Sequence, residues 1–172
     1  MNHINEFNQN KDIKRDLDDI DRLKDFFKDI IDARYSFWLA KKTELNDQAT
    51  YLNNNLILSV KYKNRVNKYN PENSSIYLEK INQNIDYVNT QLTKLNNLIK
   101  MIDTKLTKNK DSINAIVANY IKENKMKARN ESLQLYNKIK NNDERNLEII
   151  KVLIKYHNKI IQPGIEMIIN FI

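Results

Sequence analysis

The chain has 172 residues with one glycine, two prolines, no cysteine and two histidines, and its 29 basic and 22 acidic side chains leave a net charge of +7. So little turn chemistry excludes a many-stranded sandwich or barrel, and glycine-dependent phosphate loops and dinucleotide fingerprints cannot be built. Without cysteine there is no disulfide framework, thiol nucleophile or cysteine-ligated zinc, and what remains at this length is a single domain of long helices.

The first element is predicted over about 11–69. Apolar residues recur at Ile13, Leu17, Ile20, Leu23, Phe27, Ile31 and Trp38, then at Leu45, Ala49, Leu52, Leu56, Val60 and Val66, mostly three or four apart. That spacing lines one face of a helix, with Lys41 to Glu44 as its weakest point. A turn follows at 70–75, where Pro71 ends the helix and Ser74 or Ser75 can cap the next.

The second helix is expected over about 75–139. Leu78, Ile81, Ile85, Val88, Leu92, Leu95, Ile99, Ile102, Leu106, Asn109, Ile113, Ile116 and Tyr120 alternate steps of three and four over six heptads. The pattern runs through 109–112 without a change of phase, so the helix is read as continuous there, with Asn109 either fixing register at a core position or facing water. β-Branched Ile81, Val88 and Ile102 at d positions suit bundles of three or four helices better than a parallel dimer.

The third helix is expected over about 143–161, with Asp143 as its cap. Its core face is read as Leu147, Ile150, Ile154 and Ile161, widened by Ile149, Leu153 and Ile160. Pro163-Gly164 should stop it, leaving an apolar tail at 163–172 that docks into a groove of its own bundle or inserts into a partner.

Charge suggests how the first two helices pair. Folded back at 72 or 73, residue i lies opposite about 145 minus i, which sets Asp16, Asp18, Asp19 and Asp21 beside Lys122, Lys125, Lys127 and Arg129. Exposed pairs of this kind, worth ~0.2–1 kcal/mol each, select alignment more than they stabilise. The fold class read from all this is all-α: an elongated antiparallel hairpin or coiled-coil bundle of three to four long helices, completed by self-association.

The basic excess is spread along the chain. Residues 1–70 carry 13 basic and 11 acidic groups, 71–112 carry six and five, and 113–172 carry ten and six. Abundant Asn, Lys and Ile look like the imprint of AT-rich coding, and the excess reads first as a solvated surface. The polar first twenty residues hold no signal-peptide core, and no stretch approaches the ~20 apolar residues of a membrane span, so an intracellular protein is expected.

Nothing in the chain points to catalysis. His3 lies in a polar terminus, His157 reads as a packing histidine, and no helical metal-ligand spacing occurs, so no catalytic residue, cofactor or metal is assigned. Tyr62, Tyr69 and Tyr77 flank the 70–75 turn beside Lys61, Lys63, Arg65 and Lys68. Such interleaving can bind single-stranded nucleic acid, although tyrosines sealing the hairpin end is the favoured reading.

The expected function is a non-enzymatic scaffold or adaptor acting through coiled-coil-type protein–protein association, with a homodimer as the favoured assembly. Phe37, Trp38, Leu92, Leu95, Ile99 and Ile102, apolar and mid-hairpin, are the candidate association residues. Long helices with basic side chains are similar in outline to BAR domains. That resemblance implies an anionic membrane surface as alternative partner, met by Lys41, Lys42, Lys100, Lys105 and Lys108. A nucleic acid met by the same lysines ranks below both.

Overall fold

The computed structural model describes residues 3–69, 72 and 74–172. Among the described residues six helices run in chain order: α1 Ile4–Gln9, α2 Lys11–Asp21, α3 Leu23–Tyr69, α4 Ser74–Leu106, α5 Lys110–Lys138 and α6 Asn142–Phe171. There is no strand among the described residues, and the long helices pack antiparallel, as an all-α bundle. Pro71, expected to end the first long helix, lies outside the described residues.

Local chemistry explains the helix starts. The Asn10 side chain accepts the amides of Asp12 and Ile13, both at 3.1 Å, and caps α2. Asn109 caps α5 by accepting the Asp111 amide at 2.8 Å, and Asn141 caps α6 by accepting that of Glu144 at 3.0 Å. Each such cap satisfies amides that have no partner inside the helix.

These caps correct several expectations. The helix expected over 75–139 is two helices, because Asn109 takes an extended conformation (φ −74°, ψ 119°) and acts as a cap rather than a core residue. The expected phase survives at Ile113, which is buried, and shifts after it: Val117 and Ile121 are buried, whereas Ile116 is exposed. Asn141, not Asp143, caps the last helix. The helix expected over 11–69 is interrupted at Arg22, a single residue of turn with helical dihedrals. It is also preceded by α1, whose Phe7 is buried edge-on against Tyr136 with ring centroids 5.7 Å apart.

Pro163-Gly164 does not stop α6. Proline in a helix interior costs ~3 kcal/mol, but Ile168 and Ile172 beyond it are fully buried, at ~1.5–3 kcal/mol each. Gly164 is needed where it stands, since a Cβ there would lie 2.3 Å from Cζ of Phe27. The apolar tail is therefore the last turns of α6, docked in the core of its own bundle.

The contacts divide into two compact units, residues up to Tyr35 with Lys108–Ile172, and Ser36–Thr107. In the first, α5 and α6 make the most extensive pairing, and α2 lies against both. Its core joins Ile13, Leu17, Ile20, Leu23, Phe27 and Ile31 to Ile113, Val117 and Ile121 of α5 and Ile149, Leu153, Ile160 and Ile168 of α6. Ala128 and Ser132 are fully buried on α5, where small side chains allow close approach. The second unit is an antiparallel hairpin of α3 and α4 around a small core of Ala49, Val88 and Leu92, against which Leu52, Leu56 and Leu95 pack.

The expected register holds within each unit. In the first, Lys125 bonds Asp21 and lies 3.7 Å from Asp18, Lys110 lies 3.2 Å from Asp32, and the Tyr35 hydroxyl donates to the Lys108 carbonyl. In the second, Lys42 meets Asp103 at 2.6 Å. Arg129 reaches Asn8 instead of an acid, with Nη2 to Oδ1 at 2.8 Å.

Candidate association surfaces

The hairpin unit uses one seam of each helix for itself. On α4 every heptad residue from Leu78 to Leu106 is sheltered, so the periodicity read from sequence is the packing pattern. On α3 the facing seam is Trp38, Lys42, Leu45, Ala49, Leu52, Leu56, Ser59, Lys63 and Val66, at matching steps of four and three. The interior is thus a single line of a and d residues per helix.

Of the candidate association residues, Leu92 and Ile102 are buried and Leu95 and Ile99 half-buried inside this hairpin. Phe37 is exposed and Trp38 half-buried, the two rings meeting edge-on at 5.0 Å. The candidate lysines are dispersed. Lys41 pairs with Glu44 at 3.4 Å, Lys42 with Asp103, and Lys105 sits 4.9 Å over the Trp38 ring. Lys100 is exposed on α4, and Lys108 belongs to the first unit, over Phe171 at 5.7 Å.

A second stripe went unread in the sequence. In the heptad set by the buried seam, Tyr51, Tyr62 and Tyr69 of α3 and Tyr77 and Tyr87 of α4 all fall at c or g. In an antiparallel pair the g positions of both helices flank the same side. The Asn84 amide confirms that side here, donating across the helices to Asn55 Oδ1 at 3.1 Å and to Ser59 Oγ at 2.7 Å. The five tyrosines therefore share one face, with Leu58 between them and Leu98 and Met101 continuing it beyond Tyr51, and all eight side chains are exposed. Tyr62, Tyr69 and Tyr77 do not seal the hairpin end; Tyr69 keeps 73% of its surface. The signal was in the sequence, but only once a and d were fixed for α3 as well as α4.

Charge is segregated on the same face. Arg65, Lys80 and Lys94 also occupy c positions and form no ion pair among the described residues. Glu44, the one acid at a c or g position, is held by Lys41. Glu79, Asp86 and Asp103 lie at b and e positions on the other side.

In the first unit, α6 carries a wide apolar stripe beside a charged side that includes Glu148, Lys151, Lys155 and Lys159. Its buried face is Ile149, Leu153, Tyr156, Ile160, Gly164 and Ile168, which corrects the expected core face. Leu147, Ile150 and Ile154 point outward instead, 53%, 45% and 54% exposed. The later part of this strip borders a hollow of about 260 Å³ lined by Asp16, Asp19, Leu153, His157 and Asn158 together with Ile150 and Ile154. The two carboxylates there are engaged on their own helix, Asp16 with Arg15 at 3.6 Å and Asp19 with Arg22 at 2.8 Å. No cluster of three metal-ligating side chains occurs among the described residues, and none of their helices is long and apolar enough to cross a membrane.

Two tyrosines have perturbed hydroxyls. Burial raises the pKa of Tyr35, whose hydroxyl is spent on the Lys108 carbonyl. Tyr156 is raised first by burial and then by its hydrogen bond to Glu131 and that residue's charge. Both effects favour the neutral phenol, and neither tyrosine lines the hollow beside His157.

No protein-family model, curated protein or solved structure matches the chain.

Proposed function

We propose that the protein is a non-catalytic helical scaffold that works by helix-to-helix association, with a homodimer as its basic assembly. The observation that carries this reading is the strip Leu147, Ile150, Ile154 on the flank of α6, about 100° round the helix from the face already committed to the core. Three large aliphatic side chains in phase on one helix face match a seam for another helix. Burying the exposed half of each is worth about 1 kcal/mol, and two copies would contribute three each. The surrounding charge does not oppose it, because Lys151 and Glu148 neutralise one another at 2.9 Å beside the strip.

The test is sedimentation equilibrium of the full chain, alone and as the double variant Ile150→Lys/Ile154→Lys. The wild type should sediment as a dimer at micromolar concentrations and the variant as a 20.5 kDa monomer with unchanged helicity, since neither side chain belongs to the core. A monomeric wild type across the concentration range overturns the reading.

A further inference from the structure

We infer that the tyrosine face of the hairpin unit docks an acidic amphipathic helix from another protein. The inference rests on the scaffold reading and names the partner that the scaffold would hold. Each helix of the hairpin carries a second stripe at c and g, which is what a helix shows when a third helix lies against it. Tyrosine and arginine are the residues enriched where protein interfaces concentrate their binding energy, and Tyr51, Tyr62, Tyr69, Tyr77 and Tyr87 present large rings with few rotatable bonds.

Charge fixes the partner's sign and excludes a second copy on this face. Arg65, Lys80 and Lys94 have no acid of their own, so two copies meeting here would set cation against cation. A helix with glutamate or aspartate beside its apolar seam supplies the missing charge. A single-stranded nucleic acid fits less well. Along α3, Tyr51 and Tyr62 are eleven residues apart and Tyr62 and Tyr69 seven, so at ~1.5 Å per residue the rings lie ~16 and ~10 Å apart. Stacked nucleotides advance by about 3.4 Å per strand, and Leu58, Leu98 and Met101 offer them nothing. A membrane fits less well too, because Asn55 and Asn84 occupy the middle of the face, where acyl chains would bury them.

The experiment measures binding of the full chain to a labelled 28-residue synthetic helix with Leu at a and d and Glu at e and g, by fluorescence anisotropy. Its twin with Lys at e and g, a poly-dT oligonucleotide and phosphatidylserine vesicles are the comparison ligands. The acidic helix should bind at least tenfold tighter than its basic twin. Lys80→Glu/Lys94→Glu should weaken it at least tenfold, with helicity by circular dichroism unchanged. Lys61→Glu/Lys100→Glu, the same charge change at f and b positions off the face, should weaken it less than threefold. Equal losses in the two variants, or tighter binding to poly-dT or to vesicles, overturn the inference. Absent peptide binding with the dimer intact removes this partner and leaves the scaffold reading standing; a monomeric wild type removes that reading itself.

Discussion

Gly164 gives the sharpest test of how the first unit is packed. Two effects of Gly164→Ala oppose each other. Alanine in a helix interior is better than glycine by about 1 kcal/mol, and α6 runs through this position without interruption. The new Cβ, however, would stand 2.3 Å from Cζ and 2.5 Å from Cε1 of Phe27, a ring that is 1% exposed and surrounded by core. Overpacking of this kind costs about 1–3 kcal/mol. The expected net is a loss of about 1 kcal/mol. In a Phe27→Leu background the offending ring atoms are gone, so the same Gly164→Ala change should gain about 1 kcal/mol. The coupling between the two sites is then about 2 kcal/mol, within the range found for residues in contact. The assay is native-state hydrogen exchange of the α6 amides in a urea series, which reports the opening of this unit without needing the whole chain to unfold in one step. Additive effects, or a Gly164→Ala variant that is more stable by itself, would refute the contact between Phe27 and α6.

Asn109 offers a test by sign. As the α5 cap it should lose about 1 kcal/mol on change to alanine, whereas in an uninterrupted helix the same change would stabilise by about 0.5 kcal/mol; urea denaturation of Asn109→Ala decides between them. Tyr156 gives an alkaline signature. Its pKa is raised above the ordinary 10.0, so the folded state keeps a proton that the unfolded chain releases, and the stability it lends is complete below pH 10 and falls as pH climbs past it. Tyrosinate absorbance, taken as the difference from Tyr156→Phe, should show Tyr156 ionising above the ordinary 10.0. Glu131→Gln should bring it down only in part, because burial is the larger cause. A Tyr156 that titrates at or below 10.0 would contradict its burial.

What could be read from the sequence depended on which side chains do the packing. The α4 seam was legible residue by residue, because large aliphatics occupy all its a and d positions and no rival stripe of comparable regularity exists. The antiparallel register was legible from charge, and Lys125 between Asp18 and Asp21 is the contact that realises it. In α5 beyond Ile113, and in the leading face read for α6, the expected phase was off by one residue, although Ile149, Leu153 and Ile160, read as widening that face, are buried. Asn124, Ala128 and Ser132 lie in the buried stripe of α5, and Tyr156 and Gly164 in that of α6, all residues that a count of large aliphatics passes over. Phe7 was missed for a related reason: one aromatic in a polar terminus has no periodicity, and only Tyr136, far away in sequence, gives it a place. The tyrosine face was hidden because c and g have no meaning on one helix until its partner's seam is known.

The choice of phase in α6 is also what leaves its outward strip. The helix could bury Leu147, Ile150, Ile154 and Ile161, or Ile149, Leu153, Tyr156, Ile160 and Ile168, and both sets are apolar enough to form a core. Gly164 breaks the tie. Only the second face carries a residue without a side chain, and only there can the Phe27 ring lie directly on the helix backbone. Once that face turns inward, Leu147, Ile150 and Ile154, about 100° round the helix, are left half exposed on its flank, since a helix rotates as a unit. Their exposure is therefore the geometric cost of seating Phe27 rather than a loosely packed edge.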